Sequence, residues 1–296
     1  MEELDGKRRL AKVIAERGIA SRREAERMVE EGKVEVNGVV VSHPGHPVDP
    51  EKDRIKVDGR YAQKAPARKV YFLLFKPKGY ITGRDDPDGR TSVLELVRDL
   101  PDRVEPVGRL DINTEGALLL TNDGPLAHKL THPSTGVPKR YLAKVWKTPS
   151  ERTLQRLQEG VMLEDGKTAP AKARVVESTD TGNTWVEITV TEGKNRLVRR
   201  MLAEVGHPVS KLRRESFATI SIRGLERGEY RMLTGEEVQR LRDLAAGVPP
   251  SAVGHKNRTR SKAGFAKPDE EWLRKRLDRQ SRKVNRQAPP RGGAAR

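Results

Sequence analysis

A chain of 296 residues has room for one to three domains and a substantial core, although a hydrophobic share of 34% implies that part of it is not packed. Its 59 lysines and arginines outnumber 42 aspartates and glutamates, and the resulting +17 favours a polyanionic partner, either nucleic acid or an acidic membrane surface. Cysteine is absent, which excludes a disulfide framework, a thiol nucleophile and a thiolate metal site, and no run approaches the roughly 18 apolar residues that span a bilayer.

Met1-Glu2-Glu3-Leu4-Asp5 lacks the basic and apolar regions of a signal peptide, so a cytoplasmic protein facing nucleic acid is expected. The spacing of Leu10, Val13 and Ile14 predicts a helix over residues 7–17, stopped by Gly18. Ser21 followed three residues later by Glu24 has the capping-box pattern and predicts a second helix, with Ala25, Met28 and Val29 inward and its end at Gly32. Asn37-Gly38 between the β-branched runs 34–36 and 39–41 predicts a hairpin. Over residues 7–27 eight cations face three glutamates, while residues 1–60 as a whole are near neutral. Charge concentrated on one helical pair is the footprint of phosphate binding, against the plainer reading of a solvated helix surface. The runs Arg8-Arg9-Leu10-Ala11-Lys12, Ser21-Arg22-Arg23-Glu24-Ala25 and Val34-Glu35-Val36-Asn37-Gly38 carry a pattern that resembles the S4 RNA-binding domain. Arg8, Arg9, Lys12, Arg22, Arg23, Arg27, Lys33 and Asn37 are therefore candidate RNA contacts.

The Ala/Pro/Lys-rich stretch at 63–68 predicts an interdomain linker at 63–69, closing a first domain over 1–62. Residues 70–75 predict a core strand, and Lys76-Pro77-Lys78-Gly79 a sharp turn on which Lys76 is either solvated or an RNA contact. Helices are predicted at 126–130, 152–158 and 197–205, and strands at 139–145, 185–190, 211–222 and 230–233. Their interleaving through short links favours an α+β domain over 70–248, a mixed and mainly antiparallel sheet with flanking helices, over a doubly wound one. From Pro249 the periodicity stops. Residues 251–296 hold five Lys and nine Arg against two Asp and two Glu, so 249–296 is expected to be a disordered basic tail tethering RNA.

Three motifs fail on spacing. His128 and His132 are four apart, as two metal ligands on a helix would be, but no third ligand follows and Pro133 ends the helix. Gly166-Lys167-Thr168 has Gly160 one residue too far upstream for a phosphate-binding loop, and no Gly-x-Ser-x-Gly elbow occurs. What remains is one carboxylate, Asp111, on a Gly- and Thr-bracketed loop beside Arg109, feeding the apolar run 117–120 that reads as a buried strand. Spacing alone also allows a simple turn aspartate there.

Gly108-Arg109-Leu110-Asp111, with Thr114, Gly116 and the following leucines, resembles the catalytic signature of the pseudouridine synthases, in the form carried by bacterial ribosomal RNA enzymes with an S4 domain; residues 76–79 resemble the family's first motif. The resemblance spans about residues 7–245. It implies that Asp111 is catalytic, as nucleophile or base, and that Tyr141 stacks beneath the target base and assists a late proton transfer. Arg199 is implied to pair with the aspartate and Leu212 to pack in the pocket; Arg109 beside the aspartate is a further candidate RNA contact, as Lys76 is where it is not simply solvated. Extruding a nucleotide costs a few kcal/mol, and aromatic stacking returns about 1–3 kcal/mol per base. The reaction moves the base from N1 to C5 attachment and needs neither metal nor cofactor, so none is expected. The implied partner is ribosomal RNA, the 23S RNA of the large subunit ahead of 16S or transfer RNA, with the protein acting as a monomer. The rival from another class is an RNA-binding or ribosome-assembly factor with a lapsed site, against which an intact Asp111, Tyr141 and Arg199 argue. Removing residues 251–296 is expected to weaken RNA binding and to flatten its salt dependence by about 0.7 log units for each phosphate no longer neutralised; an unchanged slope in a salt titration rejects the tether.

Overall fold

Local sequence signals and long-range pairing compete from the first element onward. The computed structural model describes residues 6–62, 69–83, 88–100, 102–178 and 182–248, so the expected tail at 249–296 and all but the last residue of the expected linker lie outside the described residues. Near the N-terminus come β1 (Arg8–Arg9), α1 (Leu10–Glu16) and α2 (Arg22–Glu30), then the short strands β2 (Val34–Val36), β3 (Val39–Val40), β4 (Pro47–Val48), β5 (Ile55–Val57) and β6 (Arg60–Tyr61). The first helix starts three residues later than its periodicity predicts, because Arg8 and Arg9 pair with Val48 and Pro47 instead. Ser21 and Glu24 make both bonds of the capping box. The turn at Asn37-Gly38 takes positive φ at both residues, as a two-residue hairpin turn demands, and sets Val36 against Val39. Leu10, Ile14, Ala25, Val29, Val34 and Ile55 form the core of this part.

The second part runs through β7 (Tyr71–Lys76), β8 (Glu105–Pro106), β9 (Glu115–Thr121), α3 (Gly124–Thr131), β10 (Lys139–Trp146), α4 (Glu151–Glu159), the hairpin β11 (Met162–Leu163) and β12 (Gly166–Lys167), β13 (Lys172–Ser178), β14 (Asn183–Val190), α5 (Leu197–Glu204), β15 (Val209–Phe217), β16 (Ile220–Ser221), β17 (Tyr230–Met232) and α6 (Gly235–Ala245). The main sheet runs β13-β14-β10-β15-β9-β7-β17, antiparallel except for the parallel pair β15 and β9. The expected α+β fold with a mixed, mainly antiparallel sheet is the fold observed. The stretch 211–222, expected as one strand, is instead two, because Ala218 adopts positive φ and turns β16 back onto β15.

Coverage of the sheet follows its sequence. All six residues of β7 are buried, as are the last six of β9, and these strands are packed on both faces. Tyr71, Leu73, Phe75, Ala117 and Leu119 meet α3 and α6 on one side; Phe72, Leu74, Leu118 and Leu120 meet the short 3-10 turn Val93–Val97 on the other. By contrast β14 alternates strictly, with Thr184, Val186, Ile188 and Val190 buried, and the cover over β10, β14 and β15 comes from one side, through Leu157 of α4 and Leu197, Met201 and Leu202 of α5.

The junction between the two halves hangs on Gly116. It pairs with Arg214 across the parallel β15–β9 contact at φ +123°, and a Cβ there would stand 2.2 Å from the Arg214 carbonyl oxygen. Gly116→Ala is expected to cost roughly 3 kcal/mol or more, combining overpacking with a backbone angle that alanine avoids. Gly136→Ala, where a Cβ meets open space at φ +54°, is expected to cost about 1 kcal/mol. Urea denaturation midpoints of the two variants check the difference; equal losses would mean the crossing is not tight.

Candidate active site

The Asp111 loop is held by an ion that the sequence places at the end of a strand. Lys76 closes β7 with no accessible surface, and its ammonium donates to the carbonyls of Pro77 (3.0 Å), Asp111 (3.2 Å) and Thr114 (3.0 Å). Three N–H donors therefore meet three acceptors. This corrects the expectation of an exposed lysine touching RNA: the turn at Pro77 sends the side chain inward beneath the loop. Burial pushes its pKa from the ordinary 10.5 down to about 8, while the charge of Asp111 pulls the other way. Further bonds hold the same loop. Thr82 donates its hydroxyl to the Leu110 carbonyl at 2.8 Å and accepts from the Leu110 amide, Gly79 N–H reaches the Ile112 carbonyl, and Thr114 N–H reaches the Asp111 carbonyl.

With its backbone fixed, Asp111 leaves its carboxylate about one-third exposed at the floor of a cleft. The guanidinium at ion-pair distance is that of Arg196, 3.9 Å from Oδ2, rather than that of Arg199. Arg196 precedes α5 in left-handed conformation at φ +46°, so the loop end is turned sharply to place it. Arg199 sits one turn behind, donating to the carbonyls of Val209 (3.2 Å) and Asn113 (3.1 Å). Burial and the neighbouring Arg196 lower its pKa, and Asp111 opposes them. Arg199 thus ties α5 to β15 and to the Asp111 loop. Arg200 faces away, in a bidentate pair with Asp165 at 2.8 and 2.9 Å.

Tyr141 lies on β10 between Ile188 and Arg214, half-buried where two apolar clusters meet. Leu212, one strand over, is buried among the α5 residues. Arg214 is also buried and donates Nε to the Ala117 carbonyl at 2.7 Å.

The cleft above Asp111 has a volume of about 2080 Å³ and runs on to the N-terminal helices. Of the sequence candidates it brings together Asp111, Arg109, Arg8, Arg9, Lys12, Arg22 and Arg23, and it adds Arg196. Lys76, Tyr141, Arg199, Leu212, Arg27, Lys33 and Asn37 do not line it. Arg27 and Lys33 both pair with Glu31, and Asn37 braces its own hairpin through Asp53 and the Arg54 amide. The cleft's two walls are joined by Arg103, whose guanidinium donates to the Ile19 carbonyl and to Glu24 at 3.1 Å, the same carboxylate oxygen that closes the capping box. Nothing in the local sequence pattern marks Arg103 or Arg196, since both act through contacts across the chain. The other motifs are structural here: His132 braces Ser134, and Thr168 accepts from the Val161 amide beside the β11–β12 hairpin.

Residues 70–204 match the family described as RNA pseudouridylate synthase, and residues 8–55 match the S4 domain. The chain is 48% identical to a protein of Bacillus subtilis named ribosomal large subunit pseudouridine synthase B, over 80% of this chain and 96% of that one. It is 39% identical to a Pseudomonas aeruginosa protein of the same name, over 86% of this chain and 67% of that one. Among solved structures, one described as pseudouridylate synthase superposes with a TM-score of 0.57 at 31% identity, covering 79% of this chain and 99% of that chain.

The Lys76 clamp carries a pH signature. The unfolded chain holds that proton up to about 10.5 and the folded chain only to about 8, so folding releases a proton between these values. Wild type is therefore expected to gain stability relative to Lys76→Met as pH rises from 8 to 10.5, with no such gain below 8. Urea unfolding at pH 7, 9 and 10.5 checks this; parallel curves would rule out a buried charge.

Proposed function

This chain belongs to the RNA pseudouridylate synthase family, and from that premise we propose that it isomerises a specific uridine of ribosomal RNA, in the large subunit's 23S RNA, with Asp111 as the essential group. The supporting observation is the continuous cleft: one pinned carboxylate at its floor and the cations of two N-terminal helices on its wall. Its volume of about 2080 Å³ exceeds the roughly 300–1,000 Å³ of small-molecule pockets and suits a folded strand. The shared name of the Bacillus and Pseudomonas relatives favours the large subunit.

In this reading the target nucleotide leaves its stack and enters the cleft, and Arg8, Arg9, Lys12, Arg22 and Arg23 hold neighbouring phosphates. Asp111 starts the reaction, by attack on the sugar or base or by removing a proton. The N1–C1′ bond breaks, the uracil turns within the cleft, and C5 bonds to C1′. The proton on C5 is lost and N1 ends protonated, so the product is an isomer. Tyr141 stacks under the base and assists the last proton transfer; Leu212 supports it from behind. Arg196 holds the carboxylate before substrate arrives, and Arg199 fixes the loop that carries it. The protein acts as a monomer, in the cytoplasm where ribosomes are assembled.

Tritium release from RNA labelled at uridine C5 tests the chemistry. Asp111→Asn is expected to lower turnover by at least about a thousandfold while leaving RNA affinity within a few-fold. Release by neither protein would instead favour an RNA-binding or ribosome-assembly role. Pseudouridine mapping over the ribosomal RNA of a strain lacking the protein identifies the nucleotide.

A further inference from the structure

The sheet has a face that the proposed chemistry does not use. In β10, β14 and β15 most residues toward α4 and α5 are buried, and their alternates reach the surface, partly covered along β14 and exposed at Trp146 and Lys211. This open face is opposite the one that carries Tyr141. Two of the chain's three tryptophans lie on it, although aromatic residues make up only 4% of the chain. Trp146 is 55% exposed, with the Lys147 ammonium 4.2 Å above its ring, and Trp185, largely covered but reaching the surface, lies two residues along the neighbouring strand from Asn183, the register partner of Trp146.

Charge on the same face is unbalanced. Lys144 stands in register with Trp185 on one side and Lys211 on the other, and neither lysine makes an ion pair among the described residues. Like charges directly opposite each other across a sheet are destabilising. Arg140 and Arg174 share the single carboxylate of Glu187, at 3.4 and 2.9 Å. Cations spaced along strands beside an exposed indole ring, with a second indole reaching the surface, are what a single strand of nucleic acid needs, phosphates meeting the cations and bases stacking on the exposed ring.

We propose that this open face of β13-β14-β10-β15 is a second RNA-binding surface, taking a single-stranded segment of the substrate RNA away from the target uridine. The proposal rests on the reading of the chain as an enzyme of RNA and adds a binding surface on the sheet face opposite Tyr141. Relief of the Lys144–Lys211 repulsion by a phosphate contributes to holding the strand there.

The full chain is tested against a long large-subunit RNA transcript and against a minimal stem-loop too short to pass from the cleft to the sheet. Lys144→Gln/Lys211→Gln is expected to bind the transcript roughly tenfold more weakly and to shallow the log-affinity against log-salt slope by about 0.7 for each phosphate left without its cation. Trp146→Ala is expected to weaken the same complex about fivefold or more without changing the slope. Affinity for the stem-loop should hold in both variants, and the double lysine variant should melt no lower than wild type. Unchanged transcript affinity and slope would overturn the proposal. So would equal weakening on both RNAs, or a wild-type dimer that the variants dissociate, which would assign the face to a second copy of the chain. Failure of wild type to release tritium would sink the enzymatic reading alone, because the binding comparison reads the sheet face independently.

Discussion

A single buried ammonium organises this molecule. Lys76 arrives at the end of an otherwise apolar and aromatic strand and directs its three donors to the carbonyls of Asp111 and Thr114 in the loop and of Pro77 beside it. A charge in that position is costly unless each of its protons is matched, and here each is. The match works in both directions: the loop needs the lysine to gather its carbonyls, and the lysine needs the loop to remain charged in a dry site. Asp111 thereby presents its carboxylate from a backbone that is already fixed.

The rest of the sheet serves that clamp. Gly116 lets β15 approach β9 directly after the loop, and the approach carries Arg214 into the interior and sets Arg199 where it can hold Asn113. The doubly covered half of the sheet supplies rigidity. The half covered on one side supplies the strand bearing Tyr141. Cations then divide by partner: Lys76, Arg199 and Arg214 are bonded to carbonyls, Arg196 stands at the Asp111 carboxylate, and Arg8, Arg9, Lys12, Arg22 and Arg23 stand exposed along the cleft.

Much of this is legible in the residues. The capping box at Ser21, the Asn37-Gly38 hairpin and the apolar run leading out of the Asp111 loop each follow from local chemistry, and each stands where the sequence puts it. Long-range contacts decide the rest. A lysine before a proline reads as a surface turn unless the three carbonyls that surround it in space are known. Arg8 and Arg9 read as helix until a strand almost 40 residues away claims them. Arg196 and Arg199 are one helical turn apart in a run of arginines, and only the loop geometry says which one meets the carboxylate. By contrast the Thr234-Glu237 capping box of α6 is a purely local signal, and the helix it opens is absent from the elements predicted above.

Glu24 links two scales of the structure. One of its oxygens closes the first turn of α2 and also receives Arg103 from the loop before β8, so a bond that starts a helix also ties together the cleft's two walls. The N-terminal module therefore cannot be exchanged as an independent cassette. A replacement with equal RNA affinity but no acidic residue at that helical position would lack the Arg103 bond that fixes the span between the helical cations and Asp111.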